Sequence, residues 1–163
     1  MTTRTFRVER IEVESKKSFA ELAAALEKEV PAADPVVFRE LVTSRAPAPE
    51  VERKVQAMAG ELGFLLLAKV DQGPMTSLLG RPKKLTTYLI GNPLLANPMF
   101  EQHPAAGLYV PVRVAIFEDH EGRCHFTYER PSTFLSQFED DRIRAVGTML
   151  DEKLADLAAR LSS

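Results

Sequence analysis

Several features that would assign this chain to a particular class of protein are scarce or missing. The 163 residues include one cysteine and no tryptophan, so no internal disulfide can form, and a reducing compartment is expected. No apolar run approaches the roughly 20 residues of a membrane-spanning helix, and the first residues lack the hydrophobic stretch of an export signal. We therefore expect a cytoplasmic protein that does not act at a membrane.

Charge and motifs exclude further classes. The net charge is −2, from 21 basic and 23 acidic residues, whereas nucleic-acid binding depends on clustered Lys and Arg. The basic run from Arg81 to Lys84 is short, and it indicates either a solvated loop or a weak anion site. The phosphate-binding loop, the dinucleotide glycine fingerprint, the Gly-x-Ser-x-Gly elbow and paired metal-ligand motifs are all absent. We expect no nucleic acid, no cofactor and no metal.

The clearest pattern present is an alternation of apolar and polar residues over 108–117, which predicts a long strand. A turn over 119–122 follows, with Gly122 free to adopt a positive φ. A three-residue loop pairs Asp119 with Arg123. Further pairs are then Ile116 with Phe126 and Val114 with Tyr128 on the apolar face, and Arg113 with Glu129 and Phe117 with His125 on the other. Pro111 lacks an N–H group, so it predicts an edge strand or a bulge.

Residues 85–90 predict another strand, and two Asn-Pro pairs follow it. Because a residue before proline is disfavoured in the helical region, Asn92-Pro93 and Asn97-Pro98 predict two short helical turns, at 93–96 and 98–102. Each asparagine caps its own turn. Alternatively, the backbone N–H groups at these helix starts accept an anion.

These residues resemble the family known as domain of unknown function 302. The similarity lies in the segments YLIGNPLLA (88–96) and AGLYVP (106–111), in Phe117-Glu118-Asp119 and in Pro131, and it extends loosely to Ser18-Phe19 and Gly63-Phe64. Many members have Ala-Cys before Asn-Pro, where this chain has Ile90-Gly91, so a reactive cysteine at that place is absent. The resemblance implies a compact two-layer α+β fold that usually self-associates. It implies no established reaction and no catalytic residues.

The remaining segments complete a single domain over residues 1–163. Residues 5–14 predict a strand with a bulge near Glu9 and Arg10, and Ser18 with Glu21 predicts a capping box. A helical insertion is expected at about 31–62, to cover a sheet edge, to form a dimer arm or to wall a pocket. The apolar run 64–70 predicts a central strand buried on both sides. A short helix is expected at 75–79 and a long amphipathic one at the end, with an apolar stripe of Ile143, Val146, Leu150, Leu154, Leu157 and Leu161.

Together these elements predict an α+β fold. It has a mainly antiparallel sheet of about five strands, with amphipathic helices packed mostly on one face in two layers. The predicted edge strand and the inserted helices leave surface to cover, so we expect a homodimer.

The candidate site is a polar cluster on the face opposite the apolar one. It contains Tyr109, Arg113, His125, Thr127 and Glu129, and we expect Asn92 and Tyr88 to border it. Arginine among tyrosine and asparagine side chains is suited to a carboxylate or phosphate; the alternative is a solvated sheet face with one ion pair.

Two functions stay open for that face. The first is a non-catalytic module that binds a small anionic molecule or another protein. The second is an enzyme acting on a small acidic metabolite, with His125 or His103 as general base and Arg113 as anchor. His120, Cys124 and His125 also lie close together in the hairpin, but neighbouring strand residues point to opposite faces, so a metal site there is not expected.

Overall fold

The computed structural model describes residues 1–80 and 83–163. Their five strands form one antiparallel sheet in the order β1-β5-β4-β3-β2. The strands are β1 (Arg10–Ser15), β2 (Leu65–Asp71), β3 (Leu85–Gly91), β4 (Val112–Glu118) and β5 (Cys124–Glu129). Helices pack mainly on one face of this sheet, so the predicted two-layer α+β fold is confirmed.

Seven α-helices are found in the part of the chain that the structure describes. They are α1 (Phe19–Glu29), α2 (Pro35–Thr43), α3 (Ala48–Met58), α4 (Gly73–Leu78), α5 (Pro93–Gln102), α6 (Pro131–Leu135) and α7 (Asp141–Ser162). Short 3-10 turns occupy Pro104–Leu108 and Ser136–Phe138. None of the helices in the described ranges combines the length and apolar character needed to cross a membrane.

The hairpin of β4 and β5 has the predicted register. Ile116 lies opposite Phe126 and Val114 opposite Tyr128, and all four side chains are buried on the helix-covered face. The Asp119 N–H donates to the Arg123 carbonyl at 2.9 Å, which closes the loop, and Gly122 has a φ of +82°. Alternation and turn chemistry together were sufficient because a one-residue slip would move every apolar side chain to the other face.

The first and last helices also follow the prediction. The Ser18 hydroxyl accepts from the Glu21 N–H while the Glu21 carboxylate accepts from the Ser18 N–H, which forms the capping box. Asp140 caps α7 by accepting from the N–H groups of Arg142 and Ile143. All six residues of the predicted α7 stripe are buried, and they contact the core of the sheet.

The predictions for the first strand and for the apolar run 64–70 were wrong. The first strand begins at Arg10 without the predicted bulge, because Phe6 and Val8 remain outside the sheet and partly exposed. The apolar run at 64–70 forms an edge strand and not a central one. Phe64 and Leu65 are buried, but Leu67 is 41% exposed and Val70 51% exposed.

The two predicted helical turns are one continuous helix, α5, with Pro98 inside it. Pro98 has no N–H group to donate to the preceding turn. The adjoining Asn97 side chain donates to Glu101 at 2.9 Å within the same helix.

The strand predicted from residue 108 begins only at Val112. Leu108 lies in a 3-10 turn and is exposed. Pro111 comes just before β4, which is an interior strand, so the edge or bulge that Pro111 predicted is absent. A proline placed before the first strand residue withholds no ladder hydrogen bond.

The region of the predicted helical insertion contains α2 and α3. Its first residues run beside β2, where the Leu66 N–H donates to Pro31 and the Ala33 N–H donates to Leu66. The helix predicted at 75–79 is α4, which ends before Gly80 with its φ of +72°. Of the basic run that follows, Arg81 lies outside the described residues. That residues 31–62 are an insertion stays a prediction.

Candidate ligand-binding site

The predicted polar face forms on the open side of the sheet. Arg113 lies across from Glu129, and their side chains form an ion pair at 3.3 Å. The Arg113 side chain is 70% exposed. Nearby, the Thr127 hydroxyl donates to the Ile11 carbonyl at 2.8 Å. Because the arginine is solvated and already paired, the ion pair contributes at most about 1 kcal/mol to stability.

His125 lies on the same face, nearer the hairpin turn, and it is buried. Its Nε2 is 2.9 Å from Asp119 Oδ2 and its Nδ1 is 3.7 Å from Glu12 Oε1. The Phe117 ring stacks on the imidazole at a centroid distance of 4.9 Å. Both ring nitrogens therefore face carboxylates.

Asp119 organises the turn. Burial acts to raise the pKa of its carboxyl group, but hydrogen bonds from His125, Arg123 and the Glu121 N–H outweigh burial and hold that pKa well below its ordinary value. These hydrogen bonds link the turn to Arg123 and to His125 of β5, which is a structural role.

Two of the predicted site residues are not on the polar face. Tyr88 lies opposite Val114 and is fully buried in the core. Its hydroxyl donates to Glu27 at 3.2 Å, and burial raises its pKa. Asn92 caps α5 by accepting from the Leu94 N–H at 2.9 Å. The Asn92 amide also donates to the Gly63 carbonyl at 2.8 Å.

Tyr109 belongs to an aromatic cluster at the end of the sheet. Its ring stacks on Phe134 at 5.4 Å and meets Phe138 and Phe6 edge-on at 5.8 and 5.9 Å. His103 is exposed and packs against Phe138 at 4.9 Å. The structure therefore brings Tyr109 and Arg113 to one region and leaves His125 in another.

The remaining hairpin residues form no metal centre. His120 contacts Lys83 at 3.2 Å. Cys124 is buried on the opposite side of β5 from His125, and burial raises the pKa of its thiol. Across the described ranges, no group of three or more His, Cys, Asp or Glu residues is arranged to hold a metal ion.

A cavity of about 550 Å³ with mainly apolar walls lies at one end of the sheet, and we call it the apolar cavity. Its walls come from α2, α3, α5 and the ends of β2, β3 and β4. The described lining residues are Phe38, Leu41, Val42, Val51, Val55, Phe64, Leu67, Ile90, Gly91, Asn92, Pro93, Leu95, Ala96, Met99, Phe100, Val110, Pro111, Val112 and Leu150.

Sequence analysis left open that the helices of residues 31–62 wall a pocket, but it did not locate the cavity between α2 and α3. The signal was the helical spacing of Phe38, Leu41 and Val42 on α2 and of Val51 and Val55 on α3. That spacing indicates which side chains face inward. It does not indicate how completely the opposing elements fill the space.

A second cavity of about 570 Å³, which we call the Arg113 cleft, shares the Val110–Val112 segment with the apolar cavity. Tyr109, Arg113 and Glu129 line it, together with apolar residues that include Leu89 and Phe134. The Arg113 cleft therefore contains both polar and charged side chains. Among the described residues that line the apolar cavity, Asn92 is the one with a polar side chain.

Comparison with known proteins gives a family and no activity. The chain resembles the crystal structure of an uncharacterized conserved DUF302 protein from Bacillus stearothermophilus, with a TM-score of 0.64 over 93% of this chain and 96% of that one. The sequence identity is 12%, which supports a shared fold alone. No curated protein matches the chain. The family model described as domain of unknown function DUF302 matches residues 40–161, so the chain belongs to the DUF302 family.

Proposed function

We propose that this protein is a non-catalytic binding domain for a small, largely apolar molecule, which it holds in the apolar cavity. The observation that carries the proposal is the cavity itself, with its volume of about 550 Å³ and almost entirely apolar walls. Ligand sites typically measure about 300–1,000 Å³ and are lined mainly by hydrophobic side chains.

The cavity has a buried base and an accessible rim. Val55, Phe64 and Met99 are fully buried beneath it. At the rim, Val42 is 78% exposed and Phe100 is 37% exposed. A molecule entering past these side chains would cover apolar surface that now contacts water, which is favourable by about 25 cal/mol for each Å² removed from water.

The polar content of the cavity supports binding over catalysis. The Asn92 side chain has its oxygen and its nitrogen engaged by Leu94 and Gly63. The described lining residues include no carboxylate, imidazole, thiol or amine, so no group stands ready for proton transfer or nucleophilic attack. The proposed ligand is accordingly uncharged, or has its charged end outside the cavity.

A fluorescence titration with Nile red, an uncharged apolar dye, tests the proposal. Ala96 lines the cavity, so Ala96→Phe should fill part of the space and weaken dye binding at least tenfold. Ala115→Phe is the matched control, because Ala115 lies on the open face of β4 and away from the cavity. We expect saturable binding to the wild type and to Ala115→Phe. Equal binding by Ala96→Phe would contradict the proposal.

The Arg113 cleft supports a second candidate function, the binding of a small anion. Arg113 and Tyr109 both line this cleft of about 570 Å³, and a guanidinium group can bind a carboxylate or phosphate through two hydrogen bonds. Glu129 competes for the same guanidinium group, so the anion would have to displace it.

A thermal-shift screen of carboxylates and phosphates tests the second candidate. A ligand that binds the native state raises the melting temperature. Arg113→Met should abolish that shift and change intrinsic stability by well under 1 kcal/mol, since the ion pair is exposed. Stabilisation of both proteins, or of neither, would exclude Arg113 as the anion site.

The enzyme alternative has less support. His125 faces two carboxylates, and His103 packs against Phe138. Neither histidine is among the described residues that line the two cavities. We also propose a cytoplasmic location, because the chain has a single cysteine and a reducing compartment suits it. The homodimer stays a prediction.

A further inference from the structure

β2 is an edge strand of the sheet, and some of its backbone N–H and C=O groups point away from β3. The Gln72 N–H donates to the Leu85 carbonyl at 3.0 Å, and Val70 lies opposite Thr87 in the same register. Because hydrogen-bonding direction alternates along an antiparallel strand, the N–H and C=O groups of Lys69 and Asp71 point outward. No backbone partner for these groups is found among residues 1–80 and 83–163.

The open part of this margin is short and well defined. At Leu66 the outward groups are already bonded to Pro31 and Ala33. Beyond Leu66 the exposed side chains include the apolar Leu67 and Val70. An uncovered edge strand with apolar side chains is a template for pairing with another strand.

The opposite margin, β1, is differently composed. Its side chains on the open face are Arg10, Glu12 and Glu14, and they take part in exposed ion pairs with one another and with Arg123. This face of β1 therefore has charged side chains and no apolar one, and charges on an edge strand oppose pairing unless opposite charges face each other. β2 has the exposed apolar Leu67 and Val70 beside its charged residues, so it is the edge better suited to association.

We propose that two copies of this chain associate through β2, antiparallel, about a two-fold axis at Val70. In that register Lys69 of one copy lies opposite Asp71 of the second copy, and Asp71 opposite Lys69. These are the residues whose backbone groups point outward, so each pair exchanges two backbone hydrogen bonds. Their side chains carry opposite charges, and Val70 lies beside its own counterpart on the open face.

The side chains are available for this pairing. Lys69 Nζ contacts Glu27 at 2.6 Å, yet the lysine side chain remains 45% exposed. Asp71 accepts from the Gly73 N–H through Oδ1, which leaves Oδ2 able to face a lysine. An isologous contact requires such self-complementarity, because each residue must suit its symmetry-related partner. The proposal rests on neither cavity, so dye or anion binding does not bear on it.

Two single charge reversals provide a sharp test by sedimentation at micromolar concentration. Lys69→Glu alone would place a glutamate opposite Asp71 in both facing pairs, and Asp71→Lys alone would place a lysine opposite Lys69 in both. We expect a dimer for the wild type and monomers for both variants. When the two variants are mixed, every facing pair again has opposite charges, and we expect a one-to-one heterodimer.

Controls distinguish a variant that no longer dimerises from one that no longer folds. Glu12→Lys changes the same kind of charge on β1 and should remain a dimer. Circular dichroism shows whether each variant is folded. If Lys69→Glu does not fold, the test uses Asp71→Lys and Val70→Lys instead, and we expect both to be monomers. A monomeric wild type would overturn the proposal. So would dimers of Asp71→Lys or Val70→Lys, or a mixture of the folded charge-reversal variants that stays monomeric.

Discussion

Replacing Leu154 with Ala should destabilise the protein strongly. Leu154 lies in the middle of α7 and is fully buried, in the same core cluster as Leu150, Leu157 and Ile116. The substitution removes apolar atoms from a packed site and leaves a cavity that neighbouring side chains fill only in part. Such substitutions cost about 2–5 kcal/mol, a large share of a total stability of about 5–15 kcal/mol.

Urea unfolding, followed by circular dichroism, measures this loss. With a slope of about 2 kcal/mol per molar urea, a loss of about 3 kcal/mol lowers the transition midpoint by about 1.5 M. Wild type and variant must be compared at one protein concentration, because association of native chains would add concentration-dependent stability.

Leu78→Ala is the matched control. Leu78 is also a leucine in a helix, α4, but it is 82% exposed, so little apolar burial is lost. We expect its midpoint to change by a small fraction of the Leu154→Ala shift. Equal midpoints for Leu154→Ala and wild type would refute the assignment of the α7 stripe to the core.

Three further predictions concern single contacts. Asp119→Asn should lower stability at neutral pH, and its difference in stability from wild type should shrink as acid is added. A carboxyl group whose pKa is lower in the folded state stabilises the fold above its unfolded pKa of about 3.9, and this stabilisation is lost as the pH falls below that value. Urea midpoints measured across this pH range check the prediction. Gly60→Ala should destabilise the protein by at least about 1–3 kcal/mol, because a Cβ there would lie 2.2 Å from the Glu29 carbonyl oxygen. Gly107→Ala should be tolerated, because a Cβ there would lie 3.7 Å from its nearest neighbour. Similar melting temperatures for the two variants would contradict this account. Ser18→Ala should cost about 1 kcal/mol through loss of the capping box, and an unchanged midpoint would show that α1 does not depend on it.

Local patterns predicted those parts of the fold that local chemistry determines. The register of β4 and β5 followed from alternation and from a turn with Gly122, and α1 followed from its Ser18–Glu21 cap. These features depend on residues close in the sequence, and the apolar face leaves one acceptable alignment. For the same reason, the ion pair of Arg113 with Glu129 was predicted correctly.

The candidate site was less accessible to such reasoning. The face to which Tyr88 belongs depends on the register of β3 against β4, which brings it opposite Val114 in the core. No local pattern in 85–90 determines that register. The apolar cavity depends on how far α2 and α3 stand from α5 and the sheet, and helical spacing determines only which way a side chain faces.

The position of β2 shows that an apolar run can belong to a buried central strand or to an edge strand. An uninterrupted run of apolar residues predicts burial on both sides, and at the start of the run this is correct, because Phe64 and Leu65 are buried. Farther along, at Leu67 and Val70, the same composition occurs on an uncovered margin. An apolar edge is hazardous for a monomer and useful for an oligomer. If two copies pair through β2, the strand lies at the centre of a continuous ten-stranded sheet, twice the five strands of one chain, and the composition of the run then fits its position.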